Sequence, residues 1–308
     1  MNNSSLSCAP LAWSATAADA IEPSFYVCIV AVILHSAFWL SILVFSSLRQ
    51  WESLQWLYAF LILDLLLLIR FFILYGLRTS PACVSVDLRT LVCYFEGVGD
   101  IYLNMLQGYV LLALNICRHY QITRGGADIY TSHRCLMLTA HILIYIVPLI
   151  LLIIEIKLDW AVLYRRPGNS CDLDFSSPAI QIFNTIFGYI FPVGLTLIYL
   201  FLSLRHVRRI AAAIRDQQIS DTRLKHHRLL VFQSITFYSV WLLLWSPHVI
   251  ISQFVYVSST AGAVTQILNY IELTSDPLII AALDVRFLKV WKKTLAKMKT
   301  RIVPIANA

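Results

Sequence analysis

The sequence predicts an all-α membrane protein, a bundle of seven transmembrane helices followed by a short amphipathic eighth helix. Of its residues, 59% are hydrophobic and 13% are charged, and the mean hydropathy is +0.72. Soluble domains carry about 25% charged residues. Seven apolar stretches are long enough to cross a bilayer, and the charges are sorted between alternate loops. The net charge of +7 therefore does not indicate a nucleic-acid-binding surface, and no nucleic-acid partner is expected.

The chain divides into three predicted parts. Residues 1–24 are polar and alanine-rich, and they lack the basic region and apolar core of a signal peptide. Residues 25–284 form the seven-helix domain, and residues 285–308 form the amphipathic helix and a short tail. The predicted spans are 25–48, 54–77, 91–121, 135–156, 179–204, 229–257 and 263–283.

Basic residues predict the orientation of the chain. Outside the spans' interiors, 18 Lys and Arg residues fall on the side of the first, third and fifth loops and the tail, against 5 on the other side. Basic loops remain in the cytosol. We therefore expect a multi-pass protein of the plasma membrane with an extracellular N-terminus, whose basic cytosolic rim contacts membrane lipids.

The third span carries a polar seam. Its polar residues advance by 4, 3, 8 and 3 positions, so they lie along one stripe of a helix. They are Asp100, Asn104, Gln107, Asn115 and Arg118. The seam is expected to face the interior of the bundle, because lipid does not solvate such groups.

An even number of cysteines falls on the predicted oxidising side, namely Cys8, Cys83, Cys93 and Cys171. Cys171 lies in the loop between the fourth and fifth spans and is a candidate partner of Cys93 at the top of the third span. A second bridge between Cys8 and Cys83 is left open. The other three, Cys28, Cys117 and Cys135, are expected to be plain thiols.

Over residues 25–300 the chain resembles a divergent rhodopsin-like G-protein-coupled receptor. Cys93 precedes Arg118 by 25 residues, as the family's disulfide cysteine precedes the arginine of its Asp-Arg-Tyr motif. The other matches are Asp64 of the second helix, Pro192 of the fifth, Leu244-Trp245-Ser246-Pro247 for Cys-Trp-x-Pro, and Asp276-Pro277-Leu278-Ile279-Ile280 for Asn-Pro-x-x-Tyr. Phe287 begins the expected eighth helix, where Lys289, Trp291, Lys292 and Leu295 suit a membrane surface.

The resemblance implies a receptor, not an enzyme, that passes an extracellular ligand signal to heterotrimeric G proteins. Its implied ligand-binding residues are Asp100, Asn104, Trp245, His248 and Tyr270. Asp100 occupies the position at which amine receptors bind a ligand ammonium. Because a carboxylate inside the membrane needs a partner, the alternative is an internal ion pair with Arg70. Glu96 makes the mouth more acidic and suits a basic peptide, so the ligand is either a peptide or a small polar molecule, amines included.

A second implied site lies deeper, where the family binds sodium. Asp64, Gln107, Glu272 and Asp276 are expected to converge there, with sodium at Asp64. Three carboxylates around one cavity cannot all ionise at low cost, so one or two are expected to keep a proton. Sodium or a proton would then modulate ligand affinity; the alternative is a purely structural cluster. No other cofactor is expected. A light-sensing opsin is excluded, because residues 263–283 contain no lysine for a Schiff base.

The implied switch residues are Arg118, Pro247 and Pro277. The acid and the tyrosine that flank the arginine in the family are replaced by Cys117 and His119. Two further tyrosine positions are occupied by Leu200 and Ile280. From the sequence, Arg118 has lost its usual partners, which predicts elevated basal activity. The alternative is a non-signalling decoy receptor or scaffold with the same fold.

Overall fold

A computed structural model describes residues 9–45, 55–80, 83–124, 134–165, 170–215, 221–254 and 259–283, together with residues 287, 290 and 292. Within these ranges the chain forms seven long helices and two short antiparallel sheets. The helices are α1 (Ala15–Val44), α2 (Gln55–Thr79), α3 (Val86–Thr123), α4 (Arg134–Lys157), α5 (Pro178–Thr185, a π-helical turn Ile186–Ile190, then Phe191–Arg215), α6 (Asp221–Phe254) and α7 (Ser259–Leu283). The strands are β1 (Ala9–Pro10), β2 (Cys83–Val84), β3 (Ala161–Arg165) and β4 (Cys171–Phe175).

Five of the helices in the described ranges are long and apolar enough to cross a membrane, which is the make-up of a multi-pass membrane protein. These are α1, α2, α4, α5 and α6. The other two, α3 and α7, are more polar, because α3 carries the seam and α7 carries Glu272 and Asp276. Both helices carry predicted site residues, as do α2 with Asp64 and α6 with Trp245 and His248.

Helix α3 lies at the centre of the bundle and contacts α2, α4, α5 and α6. The main core cluster packs around its middle, where Leu106, Val110 and Leu114 are almost fully buried. Large apolar side chains cover the outside of the bundle; Leu143 of α4 and Phe201 of α5, for example, are exposed. Such an apolar exterior suits lipid, whereas polar side chains such as Asp64, Asn104 and Glu272 are buried inside the bundle.

Helix α1 begins at Ala15, before the predicted span starts at residue 25. Ser14 caps it by accepting a hydrogen bond from the Ala17 N–H, and the following alanine-rich segment favours helix. The preceding strand β1 pairs with β2, and Leu11 is buried against Leu74 and other apolar side chains. The segment before residue 25 is thus folded onto the bundle, at least from Ala9 onward.

The hairpin of β3 and β4 covers the N-terminal end of α3. We call this end of the bundle the hairpin end. Here Cys93 and Cys171 form the predicted disulfide, which is confirmed. A Cβ at Gly97 would lie 3.3 Å from the backbone of Asp172, so glycine allows the hairpin to approach α3 closely.

The remaining cysteines follow the sequence-based expectation as far as they are described. Cys83 is also disulfide-bonded; Cys8, its predicted partner, lies outside the described residues. Cys28, Cys117 and Cys135 retain thiols.

The predicted eighth helix is described at three positions, where Phe287, Val290 and Lys292 are helical. Phe287 is fully buried and stacks on Phe38 of α1 with 4.9 Å between ring centroids. Lys289, Trp291 and Leu295 lie outside the described residues, so the amphipathic character of this helix stays a prediction.

Candidate functional site

A cavity of about 390 Å³ opens at the hairpin end of the bundle. Its walls come from α1, α2, α3, α6, α7 and the start of β4. Three of the predicted ligand-binding residues line it: Asp100, His248 and Tyr270. Trp13 and Ile21 line it as well, so the segment predicted to be an extracellular tail contributes a wall.

Asp100 forms an ion pair with Arg70 of α2, the internal partner that the sequence offered as the alternative to a ligand. Arg70 Nη1 lies 2.7 Å from Asp100 Oδ1; the arginine side chain is 8% exposed and the aspartate 35%. Arg70 also donates from Nε to the Phe95 carbonyl at 3.2 Å and from Nη2 to the Glu96 carbonyl. The guanidinium is therefore fixed on the backbone of α3, and the carboxylate faces the cavity.

Gly99 makes this close approach feasible. A Cβ at this position would lie 3.3 Å from Arg70 Nε, tighter than most real Cβ contacts. The other oxygen of Asp100, Oδ2, lies 3.6 Å from Nε2 of His248 on α6. Asp100 thus stands between α2 and α6, with a permanent cation on one side and an ionisable ring on the other.

Glu96 has a partner that the sequence did not indicate, Arg78 at the end of α2. Arg78 is fully buried; it forms an ion pair with Glu96 and donates from Nη1 to the Leu11 carbonyl at 3.0 Å. Glu96 also accepts a hydrogen bond from the Cys171 N–H at 3.1 Å. The expectation that Glu96 makes the mouth acidic needs correction, because Arg78 neutralises it. Arg78 directly follows the predicted span 54–77, where a basic residue is expected to face solvent, and no signal in the sequence marks it as buried.

Below the cavity, Asn104 of α3 and Trp245 of α6 meet. The Trp245 indole donates to Asn104 Oδ1 at 2.9 Å, and its ring stacks on Trp241 with centroids 4.3 Å apart. A second, smaller cavity of about 40 Å³ lies between this pair and the side chains of Asp100 and His248. All the predicted ligand-binding residues therefore lie around two adjoining cavities.

Gly188, in the π-helical turn of α5, borders the smaller space. A Cβ there would meet the Met105 methyl at 2.7 Å, so glycine is required for Met105 to occupy its position. The hydroxyl of Tyr189 beside it donates to Ser246 Oγ of α6 at 2.8 Å. The irregular turn thereby brings α5 into contact with both α3 and α6.

Asp64, Glu272 and Asp276 converge as predicted, with one carboxylate oxygen of each within 4.8 Å of the others. All three are buried, and Gln107 donates from Nε2 to Asp64 Oδ1 at 2.7 Å. Asp64 Oδ2 and both oxygens of Glu272 and Asp276 have no hydrogen-bond donor among the described residues. Buried carboxylates in this state are satisfied by shared protons, by buried water or by a bound cation. Four oxygen-bearing side chains form a donor set that suits a hard cation such as sodium.

Arg118 has a polar partner where the sequence suggested that its partners were lost. It donates from Nη1 to Ser234 Oγ of α6 at 2.8 Å. The neighbouring His119 ring binds Ser203 Oγ of α5 through Nδ1 at 2.9 Å. Two serines therefore connect α3 to α5 and α6. Nothing in the sequence distinguishes these two serines from others in the apolar helices, so the contacts are not predicted. Pro247 and Pro277 lie inside α6 and α7 as expected.

No family model matches the sequence, and neither does any curated protein. Among solved structures, the chain is similar to squid rhodopsin, in a crystal structure that it matches with a TM-score of 0.69 at 17% sequence identity. The match covers 92% of this chain and 82% of that chain. The chain has a rhodopsin-like fold. In that fold the predicted site residues form three levels along α3: the Asp100 cavity, the acidic cluster beside Gln107, and the Arg118 contact.

Proposed function

We propose that this chain is a seven-transmembrane G-protein-coupled receptor. It would lie in the plasma membrane with its N-terminus outside, bind a small polar molecule or a peptide in the cavity at the hairpin end, and act on heterotrimeric G proteins at the Arg118 end. The observation that carries this proposal is the hydrogen bond from Trp245 to Asn104 at the floor of the cavity. It joins the cavity to α6, the helix that also holds Ser234 against Arg118.

Helix α6 has the features of a movable element. Pro247 lies inside it, two residues from Trp245, and proline removes one backbone hydrogen bond and weakens the helix locally. A ligand that displaces Trp245 would bend α6 about this point and pull Ser234 away from Arg118. A ligand shifts the equilibrium between the resting and active states only if it binds one of them more tightly. The contact of the ligand with Trp245 would therefore have to differ between the two states.

The acidic cluster would act within this mechanism as a sodium or proton site. Asp64, Glu272 and Asp276 supply the charge, and Gln107 positions Asp64. A cation or proton held here would bridge α2, α3 and α7 and favour one arrangement of the bundle. A cluster with a purely structural role would leave ligand affinity unchanged when sodium concentration and pH are varied.

A non-signalling decoy receptor or scaffold is the second candidate, favoured by a specific observation at the Arg118 end. Leu200 and Ile280, which stand at the family's tyrosine positions, are buried apolar residues in the core. They offer Arg118 no hydroxyl when α6 moves. The same cavity would then bind a ligand without a G-protein response.

The experiment that separates the two is a second-messenger assay in cells that co-express promiscuous G proteins, screened with a ligand library. Asn104→Leu, which removes the acceptor of the Trp245 N–H, is expected to retain ligand binding and lose most of the response. Asn115→Leu is the matched control, because Asn115 lies on the same helix and bonds only the Leu111 carbonyl among the described contacts. Ligands that bind the parent and never evoke a response would favour the decoy.

A further inference from the structure

We propose that the cavity at the hairpin end takes a small zwitterion, a molecule such as a free α-amino acid that carries an ammonium and a carboxylate close together. This inference rests on the proposed function, because it names the ligand class of the same site. It follows from the ion pair between Arg70 and Asp100, which the sequence gave only as an alternative to ligand binding.

A ligand with a single charge has to break this pair or bind beside it at a cost. An amine that captured Asp100 would leave the Arg70 guanidinium, 8% exposed, with the carbonyls of Phe95 and Glu96 and no counter-charge. An anion that captured Arg70 would leave Asp100 facing His248 alone. Leaving a buried charge such as that of Arg70 uncompensated is strongly unfavourable.

A zwitterion can bind without breaking the pair. Arg70 has five N–H donors, of which three are used on described acceptors, and Asp100 has a second oxygen turned toward His248 at 3.6 Å. The ligand carboxylate can therefore add to Arg70 while the ligand ammonium adds to Asp100. Each of the four charges then has an opposite charge on either side, and the contact of 2.7 Å remains in place.

Two other acids line the cavity, Glu96 and Asp172, and each has a partner within the chain. The carboxylate of Glu96 is paired with Arg78 and also accepts a hydrogen bond from the Cys171 N–H. It is therefore already bonded within the protein and is not the preferred partner of a ligand ammonium. Asp172 Oδ1 accepts from the Leu173 N–H at 2.8 Å, so the pair of Arg70 and Asp100 is the dipolar site that the cavity presents to a zwitterion.

The rest of the cavity suits a single apolar side chain. Phe71, Leu74, Ile251 and Tyr270 contribute apolar wall, and the volume of about 390 Å³ lies at the lower end for small-molecule sites. A free amino acid with an aromatic or branched side chain would place its charges at Arg70 and Asp100 and its side chain on this wall.

The test uses matched sets of ligands on the purified full-length protein in lipid nanodiscs, with binding measured directly. Each set keeps one side chain and changes only the charge: phenylalanine, phenethylamine and 3-phenylpropionate; tryptophan, tryptamine and indole-3-propionate; leucine, 3-methylbutylamine and 4-methylpentanoate. In at least one set the zwitterion is expected to have a Kd at least tenfold lower than both singly charged analogues. If no set shows this preference, the inference is overturned.

Charge variants sharpen the result. Arg70→Gln is expected to change the preference to the amine, because Asp100 is then unpaired, and Asp100→Asn is expected to change it to the acid. The double variant Arg70→Gln with Asp100→Asn leaves no unpaired charge, so it can be measured even if a single variant does not fold, and it should show no charge preference. Lys157→Gln, exposed at the end of α4, is the control and should keep the parent's preference.

The outcome is separable from that of the proposed function, because no G protein takes part in the binding assay. A receptor that signals in cells but binds amines as well as zwitterions contradicts the inference alone. A zwitterion preference that persists in Arg70→Gln also overturns it, since the preference would then arise elsewhere. A clear preference in a protein that never signals supports the inference and favours the decoy.

Discussion

The two groups of acidic side chains inside this bundle are neutralised in different ways. At the hairpin end, Asp100 and Glu96 each have an arginine partner from α2. In the middle, Asp64, Glu272 and Asp276 lie together, and no basic residue pairs with them among the described ion pairs. The first group is neutralised within the chain, whereas the second is satisfied by protons, water or a cation from solution. We therefore expect the hairpin end to determine stability and ligand charge, and the middle to respond to the medium.

The largest expected effect comes from breaking a complete pair. Arg78→Gln would leave Glu96 buried opposite a neutral side chain, and removing one partner of a buried pair costs roughly 3–5 kcal/mol. The free energy of unfolding, measured by thermal or denaturant unfolding in detergent, should fall by about this amount. Arg78→Gln combined with Glu96→Gln should recover most of the loss. A single variant as stable as the parent would show that the pair is not essential to the hairpin end.

Glu272→Gln tests the other half of the comparison. Removing one of three like carboxylates is not expected to destabilise the protein, because no cation in the chain loses its partner. Instead, the gain in thermal stability on replacing choline chloride with sodium chloride should fall to less than half of the parent's, since a ligand stabilises only the state that binds it. Equal salt responses in variant and parent would contradict a cation site. Glu155→Gln, which alters a buried acid that bonds Asn184 instead, is the control.

A smaller effect is expected at the Arg118 end. Ser234→Ala removes the hydroxyl that accepts from Arg118, and a hydrogen bond to a charged group contributes about 1.5–3 kcal/mol. Basal signalling in cells without ligand should therefore rise. Ser203→Ala, which alters the His119 contact on the same level, is the matched control and should change basal signalling less. Unchanged basal signalling in Ser234→Ala would show that this contact does not restrain the resting state.

The smallest effect concerns the fit of Arg70 against α3. Alanine in place of a helical glycine normally gains roughly 0.5–1 kcal/mol. Gly76→Ala has nothing within 4 Å of the new Cβ and should show this gain, whereas Gly99→Ala places the Cβ 3.3 Å from Arg70 Nε and should show none or a small loss. The difference between the two unfolding free energies is the measurement. Equal gains would mean that Arg70 adjusts freely.

The sequence predicts the helices well because most of them are long apolar stretches, and lipid leaves few alternatives to helix. The convergence of Asp64, Glu272 and Asp276 also follows from it, since the last two lie on one helix face and the first matches a family motif. The helices and the acidic cluster can therefore be predicted from patterns along the chain: long apolar stretches, positions four residues apart on one helix face, and the spacing of family motifs.

The ion pairs and the serine contacts depend on something the sequence does not contain, the rotation of one helix against another. Arg78 and Glu96 meet because α2 ends beside the hairpin, where the Leu11 carbonyl and the Cys171 N–H complete their hydrogen bonds. Ser234 reaches Arg118 because α6 turns that face inward. The sequence does not predict the start of α1 at Ala15 for a different reason. The alanine-rich segment and its serine N-cap favour a helix, but this segment is not apolar enough to be recognised as part of a membrane span.

The folded segment before residue 25 affects how a ligand reaches its site. Trp13 and Ile21 form one side of the cavity, and the backbone N–H of Trp13 is bonded to the Arg78 carbonyl at 3.0 Å. Arg78 in turn donates to the Leu11 carbonyl. The segment that forms this wall is therefore held in place by the same arginine that neutralises Glu96. Shortening the chain past Trp13 would widen the entrance, and both association and escape of a ligand would then become faster.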